Sequence, residues 1–296
     1  MKFCYLFFCL IIARLLSASP FVWVPDQLNH QVLVIDAVTK AIFKTISQNT
    51  GSFEKPFSIA MTPDGLFAYV FNGANHTVSV INTKTYQLKT LISLRPLSSA
   101  TTKGQIAVSP NGAFVYVANA EHHVVSIINT SKNSLSMTLS GSGMIEPTKI
   151  SFSPNSSFAY VTDSTANQVF RINTSSYAIV APFSSRIFNK PDEIAISTNG
   201  AFAYVINTGF SPSKISVLNL VNDTVLTSID LPVSSDPDAI VLSPDGTRAY
   251  VACADTGKIF IIDTMTHTLI DHDQKSGTIP NISINAEGVC FYPGLQ

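Results

Sequence analysis

An aromatic residue on a short apolar segment recurs along the chain at intervals of 42 to 47 residues. We call this residue the anchor of its segment, and the anchors are Trp23, Tyr69, Tyr116, Tyr160, Tyr204, Tyr250 and Tyr292. Self-similarity with a period of roughly 20 to 50 residues is typical of repeat architectures, in which each unit buries its apolar face against its neighbours. The recurrence therefore predicts one structural unit repeated through nearly the whole chain.

Each unit divides into four short segments with the alternation of apolar residues that is typical of β-strands. Strand A precedes the anchor, strand B carries it, strand C follows as VSVIN at 78 or IFIID at 259, and strand D closes the unit. Strands A and B are joined by PDG, PNG, PNS or TNG, where Gly or Asn is expected to supply a positive φ. The Asp or Asn that ends strand C is expected to open an Asx-type turn. Four antiparallel strands per repeat predict an all-β fold, a β-propeller of four-stranded antiparallel blades.

The run of Pro-Asp-Gly, Tyr-Val-x-Asn and Val-x-Val-Ile-Asn-Thr in these repeats resembles the YVTN repeat of surface-layer-type β-propellers. The resemblance extends over residues 20 to 293 and is closest from 55 to 272. It implies the propeller fold and a role in binding another macromolecule or a small ligand. It says little about activity, because propellers carry many unrelated functions.

The number of blades depends on how the two ends of the chain are joined. Six A, six C and six D strands accompany seven B-like segments. Six blades result if the strands of residues 21 to 46 join strand A at 279 to 285, so that pairing of N- and C-terminal strands closes the ring. We favour six blades. Seven blades with incomplete terminal units are the alternative, because the family that the repeats resemble is commonly seven-bladed.

The first residues have the layout of a secretory signal peptide. Lys2 stands ahead of an apolar run from 3 to 13, and the small residues Ser17 and Ala18 follow it. The run ends at Arg14 and is shorter than the roughly 20 residues that a membrane-spanning helix needs. We therefore expect a signal peptide over residues 1–18, a single propeller domain over 19–296, and a secreted, periplasmic or cell-surface location.

The charge of the chain argues against nucleic-acid binding. The 18 basic residues include Lys2 and Arg14 of the signal segment, which leaves 16 basic against 19 acidic residues. A nucleic-acid-binding surface normally carries a basic stripe, and the sequence has none. We expect a monomer whose partner is a protein or a cell-envelope component, with a small ligand as a further option.

Three histidines fall seven residues after their anchors, in the predicted turn between strands B and C: His30, His76 and His123. Zinc favours imidazole, but it holds ligand nitrogens about 2.1 Å away. Since strands in a sheet are about 4.8 Å apart, such turns on neighbouring blades should be separated by about 15 Å. These histidines are therefore interpreted as polar turn residues. The adjacent His122 and His123 are expected to point to opposite faces.

Two cysteines, Cys253 and Cys290, lie beyond the signal segment. They fall near opposite ends of B strands in different blades, whereas a disulfide needs Cα atoms within about 7 Å. We therefore favour no disulfide between them.

The loops that lead into strand A and the turns between strands B and C meet on one face of a propeller, around the mouth of its channel. We call this face the loop face. A concave mouth with a few convergent polar groups is the default candidate for a binding site. The A strands begin with KPFS at 55, KGQ at 103, EPTK at 146, KPDE at 190, DPDA at 236 and IPN at 279, so Lys55 and Lys103 lie on the same face. The predicted ligand-binding residues are Lys149, Asp192, Glu193, Asp236, Asp238 and Asn281.

The carboxylates of the loop face allow several interpretations. They are able to hold Ca²⁺, which takes six to eight oxygen ligands, with Asp192 and Asp238 as the first candidates. They also suit a cationic ligand or an acid and base pair. The plainest interpretation is that KP and DP mark solvated strand starts, because Pro is excluded from the interior of a sheet.

Two functions from different classes follow. The first is an exported, non-enzymatic propeller that binds through its loop face and needs no cofactor. The second is a hydrolase or lyase of the lactonase kind that uses the same mouth, with Ca²⁺ as its metal. No catalytic residue is assigned, because the sequence has no G-x-S-x-G, H-E-x-x-H or C-x-x-C-H motif.

Overall fold

A computed structural model describes residues 21–47, 52–94, 104–184, 186–253, 256–275, 282–285 and 288–291. All regular secondary structure in these ranges is β-strand. The chain divides into two compact units, one ending at Ile150 and the other beginning at Ser151. The predicted signal peptide at 1–18 lies outside the described residues, and the domain bounds 19–296 stay a prediction. No helix in the described ranges is long and apolar enough to cross a membrane.

The described part of the first unit contains three antiparallel sheets. Sheet I consists of β1 (Phe21–Asp26), β2 (Gln31–Asp36) and β3 (Ile42–Ile46). Sheet II consists of β4 (Pro56–Met61), β5 (Phe67–Asn72), β6 (Thr77–Asn82) and β7 (Gln87–Ser93). Sheet III consists of β8 (Ile106–Val108), β9 (Phe114–Asn119), β10 (Val124–Asn129) and β11 (Ser134–Ser140).

The remaining strands follow the same plan. Sheet IV consists of β12 (Pro147–Phe152), β13 (Phe158–Asp163), β14 (Gln168–Asn173) and β15 (Ile179–Ser184). The division between the two units falls within β12. Sheet V consists of β16 (Pro191–Ile196), β17 (Phe202–Asn207), β18 (Lys214–Asn219) and β19 (Thr224–Asp230). Sheet VI consists of β20 (Ala239–Leu242), β21 (Arg248–Cys253), β22 (Lys258–Asp263) and β23 (Thr268–Lys275). A two-stranded sheet follows, with β24 (Ile282–Asn285) and β25 (Gly288–Phe291).

The predicted succession of strands A, B, C and D is confirmed. In sheets II to VI the four strands pair antiparallel in chain order, and sheet I begins with the anchor strand. The anchor Tyr69 is opposite Ala60 on one neighbouring strand and Val80 on the other. The closing of a ring through 21 to 46 and 279 to 285, and with it the count of six blades, stays a prediction.

Burial explains why the inner strands read as nearly continuous apolar runs. In sheet II, β5 and β6 are buried on both faces, whereas side chains of the outer strand β7 alternate between exposed and half-buried along most of its length. Tyr69 and Phe71 of sheet II pack in one apolar cluster with Val115 and Val117 of sheet III. Full burial of a large apolar side chain contributes about 1.5 to 3 kcal/mol, so this inter-sheet packing is the main source of stability within the unit.

The turns between strands A and B have the predicted positive φ. The glycines of these turns have φ between +68° and +72°: Gly65, Gly112, Gly200 and Gly246. In the PNS turn, Ser156 takes this conformation with φ +60°, so the expectation that Gly or Asn supplies it was wrong at this position. The preceding Asn155 fixes the turn instead, because its Oδ1 accepts hydrogen bonds from the Ser153 hydroxyl and the Ser157 amide.

The turns between strands C and D are the predicted Asx turns. Asn82 Oδ1 accepts hydrogen bonds from the amides of Lys84 and Thr85, each at 3.0 Å. Asp263 does the same for the amides that follow it, and these hydrogen bonds hold the pKa of its carboxyl below the usual value. The fifth residue of each turn has positive φ: Lys40, Tyr86, Asn133, Tyr177, Asp223 and His267.

In two places this fifth turn residue also contacts the anchor of the preceding sheet. The Tyr69 hydroxyl donates to Asn133 Oδ1 at 2.7 Å, and the Tyr204 hydroxyl lies 2.8 Å from Nδ1 of His267. Burial, followed by the nearby charge of Asp64, raises the pKa of Tyr69 to about 12, so its hydroxyl keeps the proton that it donates. Each contact therefore satisfies a buried hydroxyl from outside its own sheet.

The contact between Tyr204 and His267 makes stability depend on pH. Burial lowers the pKa of His267, and the charge of Asp263 only partly opposes this shift. Because the folded pKa lies below that of the unfolded chain, folding favours the neutral imidazole, and stability falls as pH drops below about 6.5. We expect the thermal midpoint to fall between pH 7 and pH 5 more steeply in the wild type than in His267→Asn. Asn133 provides the precedent for Asn at this turn position, and equal slopes for the two proteins would contradict the assignment.

Candidate functional site

The structure places the predicted site residues at or beside the starts of A strands. Asp192 and Glu193 are the second and third residues of β16 and are partly exposed. Asp238 directly precedes β20 and is also partly exposed, while Asp236 is exposed. Lys149 lies on β12 in the first unit. Asn281 and Lys103 lie outside the described residues.

Four of the predicted residues lie on, or just before, two adjoining strands of the second unit. Strands β16 and β20 pack against each other. Asp192 and Glu193, at the start of β16, are therefore on the strand next to β20, which Asp238 directly precedes. Asp238 is held at this place by its amide, which donates to the carbonyl of Ala252 at 2.9 Å. The sequence thus correctly assigned these carboxylates to neighbouring A strands, and their ligand stays a prediction.

Cys253 lies close enough to Asp236 and Asp238 to be affected by their charges. The thiol is buried, and its pKa is raised to about 12 by burial first and then by the charges of Asp238 and Asp236. Cys253 is a free cysteine, and at neutral pH it stays in the thiol form, which is a poor nucleophile. Cys290 lies on β25, and nothing about its side chain is described.

The carboxylates do not form a compact metal cluster. Within the described ranges, no three His, Cys, Asp or Glu side chains come close enough together to hold a metal ion. The predicted pair Asp192 and Asp238 would therefore supply at most part of a Ca²⁺ shell, with backbone carbonyls or water as the other ligands.

The three histidines in register are turn residues, as interpreted from the sequence. His30, His76 and His123 have φ of +54°, +51° and +58°. The same position is taken by Asn167 with φ +54° and by Gly257 with φ +64°. Left-handed backbone favours Gly and, among other residues, Asn, Asp and His, so the backbone accounts for the choice of residue.

One contact between histidines was not foreseen. The rings of His76 and His122 meet edge to face, with centroids 4.4 Å apart, although the sequence argument compared His76 with His123. His122 also contacts Asn119, with 3.0 Å between Nδ1 and Oδ1. Burial and then the neighbouring His76 lower the pKa of His122, so the His122 ring packs as a neutral group near pH 7. The expected divergence of adjacent side chains is confirmed, because His123 Nδ1 contacts the Ile145 carbonyl instead.

Sequence reasoning also missed a set of buried polar residues beneath the loop face. The residue three positions after the anchor is buried in each of the first five sheets: Asp26, Asn72, Asn119, Asp163 and Asn207. Asp26, Asn119 and Asp163 bond the turn that follows; for example, the Ala166 amide donates to Asp163 Oδ1 at 2.7 Å. The amides of Asn72 and Asn207 donate instead to serine hydroxyls of strand C. The recurrence of Asp or Asn at this position was the available signal. These residues stabilise the turns between strands B and C, which form part of the loop face.

Comparison with known proteins places the chain among β-propellers. The sequence profile of the family described as "Lactonase, 7-bladed beta-propeller" matches residues 21–181, just over half of the chain. No curated protein sequence matches the chain significantly.

Two solved structures resemble the fold at low sequence identity. A hydrazine synthase structure from Kuenenia stuttgartiensis superposes with a TM-score of 0.73 at 17% identity, covering 86% of this chain and 84% of the other. A functionally unknown protein from Desulfotomaculum acetoxidans DSM 771 superposes with a TM-score of 0.69 at 18% identity, covering 92% of this chain and 85% of the other. The predicted all-β propeller of four-stranded antiparallel sheets is therefore confirmed, and the chain belongs to the seven-bladed β-propeller lactonase family.

Proposed function

We propose that this chain is an exported, non-enzymatic binding protein whose loop face takes a positively charged partner, either a protein or a component of the cell envelope. The observation that carries the proposal is the presence of carboxylates at the starts of two adjoining strands, Asp192 and Glu193 on β16 and Asp238 before β20. Residues on strands are held more rigidly than residues on loops, so Asp192 and Glu193 are already in place before a partner arrives. Asp238 is held by the hydrogen bond of its amide to Ala252.

The carboxylates at the starts of β16 and β20 favour a cationic partner over an anionic one at this part of the loop face. Asp236 adds a fourth, exposed carboxylate beside Asp238. Exposed ion pairs contribute about 0.2 to 1 kcal/mol each and are weakened by salt. A partner that engages several of these carboxylates would therefore bind with modest affinity and with a marked dependence on ionic strength.

Calorimetric titration with a lysine oligopeptide tests this proposal. The double variant Asp192→Asn with Asp238→Asn should weaken binding about fivefold at low salt, because two of the charge pairs are lost. Asp245→Asn is the matched control, since Asp245 lies in the A–B turn of sheet VI. The equivalent turn position is taken by asparagine in sheets III, IV and V, at Asn111, Asn155 and Asn199. Equal affinity of the wild type and the double variant would refute the binding role of these carboxylates.

Export is part of the proposal and is supported by the layout of residues 1–18 and by the resemblance of the repeats to the YVTN surface-layer group. Recovery of a protein that begins near Ser19 from the envelope or the medium is expected. A full-length chain confined to the cytosol would contradict export.

A lactonase activity is the second candidate, and the family match favours it. In such a reaction water adds to the ester carbonyl of a cyclic ester and the ring C–O bond opens to give a hydroxy acid. This candidate predicts hydrolysis of a panel of lactones and a thermal midpoint that rises with Ca²⁺ and falls with EDTA. Absence of both effects in the full chain would remove it and leave the binding role.

A further inference from the structure

The residue seven positions after an anchor does more than complete its own turn. In three places its side chain reaches the loop that leads into the A strand of the following sheet. The Lys55 amide lies 3.2 Å from Nδ1 of His30, the Lys190 amide donates to Asn167 Oδ1 at 2.7 Å, and His123 Nδ1 contacts the Ile145 carbonyl. Each of these contacts lies within one compact unit.

Two of these three loops have an unfavourable backbone at the point of contact. Lys55 and Lys190 have φ of +52° and +49°, and each directly precedes a proline, Pro56 or Pro191, that starts an A strand. Left-handed backbone is unfavourable for an L-residue, and a following proline restricts the residue further towards extended conformations. Such a conformation persists only where its surroundings hold it.

Hydrogen bonds on both sides of the lysine provide that support. The carbonyl of Lys190 accepts from the Thr208 amide at 3.2 Å, which belongs to the B–C turn of its own sheet V. Its amide is held by Asn167, which belongs to sheet IV. Lys55 repeats the arrangement, since its carbonyl accepts from the Gly73 amide at 3.0 Å. The preceding sheet therefore fixes one side of this residue, and its own sheet fixes the other.

We propose that His30 and Asn167 are positioning residues of the loop face, which set the start of the following A strand through the amide of the lysine that precedes its proline. At Asn167 the consequence is functional, because Asp192 and Glu193 follow Lys190 by two and three residues. This part of the inference rests on the proposed binding function, whereas the fixing of Lys190 does not.

Asn167→Gly separates the side-chain contact from the turn itself. Glycine has no cost at positive φ, and Gly257 already occupies this position in sheet VI with φ +64°. The variant should leave the thermal midpoint nearly unchanged while raising amide hydrogen exchange at Lys190 on the order of tenfold, the effect of one lost hydrogen bond. Asn167→Asp keeps the acceptor and should retain wild-type protection. In the same way, His30→Gly should raise exchange at Lys55, and His30→Asn should retain protection.

Two readouts on the full chain distinguish failure of this inference from failure of the binding proposal. Unchanged exchange at Lys190 in Asn167→Gly would overturn the positioning role, whatever the lysine oligopeptide does. Raised exchange with peptide affinity lowered about threefold supports both proposals. Raised exchange with peptide affinity unchanged in Asn167→Gly, but lowered in the double variant of Asp192 and Asp238, would overturn the functional part. If neither variant alters affinity, the positioning of Lys190 stands and the binding proposal fails.

Discussion

Tyr69→Ala should lower the free energy of unfolding by about 4 kcal/mol, because removal of a large buried aromatic ring leaves a cavity that the surrounding strands fill only in part. Tyr69 is fully buried in the cluster shared by sheets II and III. For a chain of this size such a loss corresponds to a fall of about 7 °C in the thermal midpoint. Differential scanning calorimetry of the wild type and the variant provides the measurement.

Tyr69→Phe is the matched control for this variant. It keeps the ring and removes only the hydroxyl that donates to Asn133 at 2.7 Å, so it should cost about 1 kcal/mol. A loss in Tyr69→Phe as large as that in Tyr69→Ala would mean that the link to the C–D turn, and not the packing of the anchor, holds the two sheets together.

Gly104→Ala should cost about 3 kcal/mol or more. A Cβ at this position would lie 2.1 Å from the carbonyl oxygen of Ala118 and 3.2 Å from the ring of Phe71. The first of these is a backbone atom that cannot rotate away, so β8 would have to shift from β9. The close approach of the Gly104 backbone to the Ala118 backbone explains why glycine is found at this position.

Gly141→Ala separates this steric effect from the general effect of adding a methyl group. Gly141 has φ +86° with open space around it, so alanine there should cost only about 1 kcal/mol for the left-handed backbone. Thermal midpoints of the two variants provide the comparison. Equal losses would contradict the close approach of Gly104 to Ala118.

The anchors were the most informative part of the sequence. Apolar alternation around Tyr69 and Tyr204 predicted four strands per repeat, because burial on both faces of strand B leaves a pattern that one sequence displays directly. Turn residues were predicted nearly as well, since positive φ restricts the choice to a few residue types. Ser156 escaped that rule because the side chain of Asn155 supports the turn and offsets the unfavourable backbone.

The candidate site was only partly predictable. The sequence placed Asp192 and Asp238 at neighbouring strand starts, because both follow from the phase of the repeat. It did not foresee that His76 meets His122, or that Asn167 holds Lys190, because these contacts join different sheets. Inter-sheet contacts depend on how far each loop extends towards its neighbour, and the repeat period carries no information on that distance.

We propose that the carboxylates at the starts of β16 and β20 form the surface by which this propeller binds. Carbodiimide-coupled labelling of carboxyl groups, read by mass spectrometry with and without a lysine oligopeptide, tests it directly. We expect protection of Asp192, Glu193, Asp236 and Asp238, with labelling of Asp64 and Asp245 in the A–B turns unchanged. Protection confined to Asp64 and Asp245, or no protection of any of these groups, would contradict the claim.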